Sequence, residues 1–333
     1  KIGGLILSSN TPEIESGETQ YGYRNKIEFS FAPTDLNQDY QNSPKYEPVS
    51  LAFFHRGKNK KMPIEKSGLA EPIINTVAQK ILVWVNEQKI PMRNLKSLIV
   101  RSNGSGQAIA ALFLKDELSF EEYPELDKNF LGFTVYYSTH KSPASVPTKK
   151  LYESGQDYLI ADIKGTKLKF GLLSFFQINI PMFEKTLDDV AAFLKPKTPL
   201  IDFYSGVGAI SLPLSYSREH TTLVDINKEA IEYAKENIEA GGFKNCEAQC
   251  VPSEEITDII SNDKVVIVDP PRAGLHQKMI TRLNLRKPPR IIYLSCNVAT
   301  QARDIRLLSE EYKISFLKLY NFFPRTPHIE ALC

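Results

Sequence analysis

The sequence predicts an α/β protein of two domains: an α+β domain on an antiparallel sheet over residues 1–172, then a doubly wound α/β domain over residues 173–333. Three observations lead there. The chain has 333 residues, which at roughly 100–200 residues per domain is enough for two. Before residue 172, short strand-like segments follow one another with a single amphipathic helix among them, the habit of an α+β domain. Beyond it, apolar strand-like runs alternate with helical ones, which calls for a parallel sheet with helices on both faces.

Composition narrows the class. With 42% hydrophobic and 24% charged residues, the chain is ordinary for a soluble globular protein and unlike a disordered, collagenous or disulfide-dense one. No apolar run approaches the roughly 20 residues that span a bilayer, so no membrane partner is expected. The chain begins at Lys1 without Met, as a processed protein or a piece of a longer one would. Four cysteines, at 246, 250, 296 and 333, are too few for a disulfide framework and suit a reducing, cytoplasmic setting. Cys246 and Cys250 lack further ligands at suitable spacing, so neither a metal nor an iron–sulfur cluster is expected. The net charge of +2 confines any nucleic-acid contact to local clusters.

In the first domain, Tyr23 to Phe31 alternates, with Ile27, Phe29 and Phe31 on one face, a half-buried strand. Pro, Asn and Asp crowd residues 33–48, a loop. Val49–Phe54 is a second strand, ending in a basic turn with Arg56, Lys58, Lys60 and Lys61. From Glu71 to Gln88, apolar residues recur at helical spacing, with Trp84 beside the stripe. Residues 95–101, 107–114 and 130–138 read as further strands. In the second domain, strands are expected at Leu200–Tyr204, Thr222–Val224, Val265–Val268 and Ile291–Leu294, and helices at 227–240, 253–261, 276–285 and 299–311. Residues 312–323 and 328–332 read as a closing antiparallel pair.

The chemistry concentrates at the ends of these strands. Asp202-Phe203-Tyr204-Ser205-Gly206-Val207-Gly208 is a glycine turn between strand and helix, where a ligand can approach the backbone. The next strand ends in Asp225, about 20 residues on, where an acid can bind ribose hydroxyls. Ser211 stands where a dinucleotide fingerprint has its third Gly. Asp202, at the mouth of the turn, would repel a pyrophosphate and attract an ammonium. Charge complementarity therefore favours S-adenosyl-L-methionine over a nicotinamide cofactor. Asp269-Pro270-Pro271-Arg272 forms a rigid lip at another strand end. Ser295-Cys296-Asn297 closes a further strand. A lone Cys is ordinarily buried and inert, but the position of Cys296 at a helix N-terminus argues for a lowered pKa and an available thiolate.

Taken together, Phe176-Gln177-Ile178-Asn179, the Asp202 glycine turn, Asp269-Pro270-Pro271-Arg272, Ser295-Cys296-Asn297 and Pro324-Arg325-Thr326-Pro327-His328-Ile329-Glu330 resemble the motifs of the RNA uracil-5-methyltransferases. Tyr23-Arg24-Asn25-Lys26 resembles the segment that opens that family's central RNA-binding domain, so the resemblance runs from about residue 21 to the C-terminus. It implies a Rossmann-like S-adenosylmethionine-dependent methyltransferase domain behind an N-terminal α+β RNA-binding domain. It also implies 5-methyluridine formation in a structured RNA, a tRNA or 23S rRNA; separately from the resemblance, a monomer is expected.

By resemblance, Cys296 is the nucleophile and Glu330 the base, and Asp269 faces the target base. The resemblance places Gln177, Tyr204, Asp225 and Asp269 at the cofactor, beside Asp202, Gly206 and Gly208 of the turn. Arg24, Lys26, Arg56, Lys58 and Arg325 are the candidate RNA contacts. Three positions depart from the family pattern: Ser205 for Cys, Val298 for Pro, and Arg325 for His. Arg325 adds a permanent cation suited to phosphate or to lowering the Cys296 pKa. Many relatives also carry an N-terminal β-barrel module and a four-cysteine cluster, neither visible here. Two alternatives accompany this reading: an RNA cytosine-5 methyltransferase, and an RNA-binding or RNA-folding module whose catalysis is incidental or lost.

Overall fold

Strand alternation and helical periodicity account for most of the elements in this computed structural model, which describes residues 12–34, 47–55, 57, 60–142 and 145–333. A short leading strand, β1 (Glu13–Glu15), is followed by a unit covering Tyr21–Ala161. That unit holds β2 (Lys26–Pro33), β3 (Val49–Phe54), β4 (Lys61–Pro63), α1 (Pro72–Glu87), β5 (Leu95–Ser102), β6 (Ala108–Leu114), β7 (Phe130–Tyr137) and β8 (Lys149–Gly155). Its strands form one sheet in the order β4-β3-β2-β5-β6-β7-β8. Neighbours are antiparallel except β6 and β7, which run parallel. The long connection Lys115–Asn129 between those two makes a parallel return possible, where a tight hairpin would not.

Helix α1 starts with Pro72 in its first turn, where a missing N–H costs nothing. Ile74, Val77, Ala78, Ile81 and Val85 line its buried face, three or four residues apart. They pack in one cluster with Phe29 and Phe31 of β2, Leu98 and Val100 of β5, and Leu112 of β6. Trp84, placed beside this stripe by the periodicity, is itself in the core at 5% exposure. Its ring meets Phe120 at 5.0 Å and Phe133 at 5.7 Å, and its Nε1 donates to the Glu122 carbonyl at 2.9 Å.

Strands β9 (Tyr158–Ile163) and β10 (Thr166–Gly171) pair where the chain leaves this unit. The remainder holds α2 (Ile180–Ala192), β11 (Leu200–Phe203), β12 (Thr221–Asp225), α3 (Lys228–Ala240), β13 (Cys246–Cys250), β14 (Val265–Val268), α4 (Gln277–Arg286), β15 (Arg290–Ser295), α5 (Val298–Leu308), β16 (Lys318–Tyr320) and β17 (Glu330–Leu332). Its eight-stranded sheet has the order β1-β16-β17-β15-β14-β11-β12-β13. The strands from β15 through β13 are parallel, and β17 runs antiparallel to both of its neighbours. Chain order reverses at β11, which pairs with β12 on one side and β14 on the other. Such a switch point opens a ligand crevice at the carboxyl ends of the strands.

Three features differ from the sequence reading. The second unit is discontinuous: residues up to Gln20 join Asp162–Cys333, whereas the periodicity suggested a continuous first domain to residue 172. The cause is β1, which pairs in parallel with β16 through Glu13–Glu15. Pairing between the two ends of a chain leaves no local trace. The helix expected at 253–261 is a single 3-10 turn, Thr257–Ile259. Ile256, Thr257, Ile259 and Ile260 are β-branched and poor helix formers, too many in so short a segment. Strand β13, Cys-Glu-Ala-Gln-Cys, has no apolar alternation because it is the edge of the sheet.

Replacing Trp84 by Ala should destabilise the Tyr21–Ala161 unit by about 3–5 kcal/mol, the usual range for emptying a buried aromatic site. Urea unfolding followed by far-UV circular dichroism measures this. A change below about 1 kcal/mol would show that the ring cluster is not a core.

Candidate functional site

The site is built on the carboxyl ends of β11, β12, β14 and β15, joined by the first residue of the antiparallel β17. After β11 the backbone turns through three left-handed residues, Tyr204 (φ +64), Gly206 (φ +55) and Gly208 (φ +87). At Gly208 a Cβ would lie 2.6 Å from Leu212 and 2.8 Å from Leu223, so only glycine fits. At Gly206 a Cβ would meet nothing closer than the Phe175 carbonyl at 3.9 Å. The space over Gly206 is where a ligand can touch backbone. The turn runs into a 3-10 helix, Leu212–Ser217, instead of the α-helix expected from the motif. No α-helical N-terminus of the kind that cradles pyrophosphate therefore follows the turn.

Asp225 ends β12. One carboxylate oxygen accepts from the Gly206 amide at 2.8 Å and the other from the Asn227 amide at 2.8 Å. This fixes the carboxylate while leaving lone pairs for a ligand's hydroxyls. The next residue, Ile226, is 69% exposed, an apolar side chain presented beside a hydrogen-bonding acid. Asn227 then caps α3, accepting from the Ala230 amide at 3.1 Å. Asp202 was expected at the mouth of the glycine turn. It is instead completely buried, with Ser211 beside its carboxylate. Burial pushes its pKa up to about 7, opposed by Ser211 and reinforced by the charge of Asp225.

The Phe176–Asn179 segment divides its work. Phe176 is buried and stacks on Phe170, with centroids 4.0 Å apart. Gln177 donates its Nε2 to Asp269 at 3.3 Å. Asn179 caps α2 at the Met182 amide and donates its Nδ2 to the Phe322 carbonyl at 3.0 Å. It thereby ties this segment to the loop leading into β17. Tyr204 lies half-buried against the β11–β15 core, and burial raises its phenol to about 12, so it stays protonated.

Asp269, Cys296 and Glu330, from three different strand ends, act on one another. Burial raises the Asp269 pKa well above the carboxylate range, and Glu330 and Asp202 push it further. Glu330 is 6% exposed, and burial raises it to about 7, with Arg272 pulling the other way. Cys296 sits between β15 and α5, one residue before the Asn297 cap. The helix N-terminus led to the expectation of a lowered thiol pKa. The shift is upward, caused by burial first and then by the Glu330 and Asp269 charges. The cation opposing it is Arg272.

The candidate RNA contacts fall on both units. Arg24 and Lys26 belong to the Tyr21–Ala161 unit. The Arg24 backbone pairs with Leu69 and Glu71 at 2.9 and 3.0 Å, and its Nε is buried without a partner. Lys26 opens β2 opposite Arg101. Arg56 and Lys58 lie outside the described residues. Arg325, in the other unit, is exposed and left-handed (φ +66), and donates to Gln20 Oε1 at 2.8 Å. Residues the sequence reading did not assign to the site are Arg272, Ile226 and Asp304. The first two were visible as neighbours of Asp269 and Asp225, whereas Asp304 had no motif to mark it. Among the described residues no group of three His, Cys, Asp or Glu is placed to hold a metal ion. None of the described helices is long and apolar enough to cross a membrane.

A doubly wound sheet with a glycine turn, a ribose-type acid and a thiol among carboxyls at its carboxyl edge defines a Rossmann-like group-transfer enzyme. The family model described as tRNA (Uracil-5-)-methyltransferase matches residues 9–265 and 261–332. The chain belongs to that family, whose members are RNA methyltransferases. An uncharacterized RNA methyltransferase of Bacteroides thetaiotaomicron is 28% identical over 99% of this chain and 78% of its own length. One from Mycoplasma mobile is 35% identical over 53% of this chain and 48% of its own. Among solved structures, the fold is shared with the Pyrococcus abyssi tRNA (uracil-54, C5)-methyltransferase, determined in complex with S-adenosyl-L-homocysteine. The TM-score is 0.81 at 24% identity, covering 96% of this chain and 78% of that one.

The buried acids set a pH dependence of stability. For Asp202 and Glu330 the folded pKa, about 7, lies above the unfolded value near 4. The stability that comes from keeping them neutral is complete below about pH 4 and is lost as pH rises through about 7. Asp202→Asn, which cannot ionise, should lose less stability between pH 6 and 8.5 than the wild type, as read by thermal or urea unfolding. Parallel pH curves for the two proteins would contradict the burial of Asp202.

Proposed function

We propose that this chain transfers a methyl group from S-adenosyl-L-methionine to C5 of a uridine in a structured RNA, a tRNA or 23S rRNA, through a covalent bond between Cys296 and C6. The observation that carries this reading is the convergence of Cys296, Asp269 and Glu330 at one strand edge, with a buried carboxyl whose pKa is about 7 beside a thiol. Family membership supports it, as does the P. abyssi neighbour, named as a C5-methyltransferase of uracil 54 in tRNA.

The residues fit the methyl donor. Asp225 would take the ribose hydroxyls, Ile226 would cover the adenine, and the open space over Gly206 would admit the chain that joins ribose to methionine. Asp202, buried beneath the turn, favours a cationic ligand through the low dielectric around it. When bound, S-adenosyl-L-methionine supplies an electrophilic methyl on a sulfonium.

Uracil C5 is a weak nucleophile, so the Cys296 thiolate first adds to C6. The S–C6 bond forms and the C5=C6 electron pair moves onto C5 and O4. C5 would then bond the donor's methyl carbon as the methyl–sulfur bond breaks and its electron pair stays on the departing S-adenosyl-L-homocysteine, a step that positioning makes effectively unimolecular. Glu330 takes the C5 proton, C5=C6 re-forms, and the S–C6 bond breaks to return the thiolate. A pKa near 7 suits Glu330 to act as base at neutral pH. The target nucleotide must leave its stack to reach such a site.

Cys296→Ser should lower turnover by on the order of 10³-fold or more and form no adduct. Glu330→Gln should form the adduct but fail to release it, leaving a protein–RNA band on denaturing gels. Release by Glu330→Gln at the wild-type rate would remove Glu330 from the mechanism. Both Glu330 and Cys296 act in their ionised forms and both are shifted upward. Turnover should therefore rise as pH increases from 6 to 8.5. An optimum below pH 6.5 in a pH–rate profile would contradict these assignments.

A further inference from the structure

We propose that Arg272 is the cation that stabilises the Cys296 thiolate, and that the loop carrying it is latched onto helix α5 so that the guanidinium stays beside the sulfur. This rests on the assignment of Cys296 as nucleophile, and it deepens that assignment by saying what makes the thiol one.

The latch is visible bond by bond. The Arg272 carbonyl accepts from Asn297 Nδ2 at 3.0 Å and from Thr300 Oγ1 at 3.2 Å. The Ala273 carbonyl accepts from Arg303 Nη2 at 2.9 Å. The Leu275 amide donates to Asp304 Oδ2 at 2.8 Å, and the same oxygen accepts from the Tyr293 hydroxyl at 2.8 Å. Between them, Gly274 (φ +82) lies so close that a Cβ would come within 2.5 Å of that Asp304 oxygen. Residues 272–275 are thus seated on the cap and first two turns of α5, and Asn297 is the residue next to Cys296. Asp304 is completely buried and takes its hydrogen bonds from both β15 and the loop. A loop held at so many points keeps residue 272 against Asn297, the neighbour of Cys296, and from there the Arg272 charge acts on the thiol.

The electrostatics explain why a cation is required. The groups acting on Cys296 are Glu330 from β17, Asp269 from the start of the same loop, and Arg272. Two of the three are acidic, and burial adds to their effect. Without Arg272 nothing in that set favours the thiolate. An opposite charge within about 4–6 Å lowers a pKa by about 1–3 units, and the exposure of Arg272 places its effect at the lower end.

The test needs neither RNA nor cofactor. The full chain is treated with iodoacetamide from about pH 6 to about pH 12, so that a midpoint above the ordinary thiol range is bracketed, and peptide mass spectrometry separates Cys296 from Cys246, Cys250 and Cys333. In Arg272→Gln the midpoint for Cys296 alkylation should rise by about one pH unit, with reaction near neutrality about tenfold slower. Arg272→Lys, which keeps the charge, should restore most of the difference. Circular dichroism confirms that both variants fold. An unchanged midpoint in Arg272→Gln overturns the proposal, and so does a Lys variant that behaves like Gln. A shifted midpoint supports it whatever the enzyme does to RNA. If the pH–rate profile for RNA methylation then fails to move with the midpoint, the nucleophile assignment falls and the ion pair stands.

Discussion

Four groups that are harder to ionise when buried, Asp202, Asp269, Glu330 and Cys296, occupy one edge of one sheet, and the rest of the site is arranged around that crowding. They are brought together by strand direction. In a parallel sheet every strand ends at the same edge, which places Asp202 on β11 and Asp269 and Cys296 just after β14 and β15. Glu330 reaches that edge for the opposite reason. Because β17 runs antiparallel to β15, its first residue, not its last, lies there. The reversal of a single three-residue strand completes the constellation, and without it Glu330 would sit at the far end of the sheet.

The crowding also sorts the groups by role. A carboxyl raised to about 7 accepts a proton near neutrality far better than an ordinary glutamic acid, whose conjugate base is too weak. The same surroundings hinder the thiol, which must lose its proton among acids. A site of this kind works only with cations brought in from outside the acidic set. Arg272 is one, and a cationic methyl donor is another. The buried Asp202 beneath the glycine turn fits the same logic, since a buried acid near its midpoint is biased toward ionisation by an incoming positive charge.

Much of this was legible in the sequence because the relevant signals are local. The strand ends, the glycine turn, Asp225 and the Asp-Pro-Pro-Arg lip are each contiguous motifs, and the apolar runs before them mark buried parallel strands. What was not legible depends on partners distant in the chain. Strand β1 exists only because β16 offers it an edge. Strand β13 is polar because it is an edge itself. The direction of the Cys296 shift was misjudged because a helix N-terminus can be read from Asn297, whereas the neighbouring Glu330 and Asp269 cannot. The sequence offered Arg325 as a cation for phosphate or for the thiol, and the ion pair proposed above turns on a different arginine. Arg325 is bonded to Gln20, and the cation at the sulfur is Arg272, carried there by a loop whose hold on Asp304 no spacing reveals.

The central claim is that Cys296 activates uracil C5, and replacement of the C5 hydrogen reports it directly. RNA labelled with tritium at uracil C5 is incubated with the protein, with and without S-adenosyl-L-methionine, for the wild type and Cys296→Ala. The account predicts that tritium is released to solvent only with the methyl donor, in step with methylation, and not by the variant. Methylation without tritium release, or release undiminished in Cys296→Ala, would contradict it.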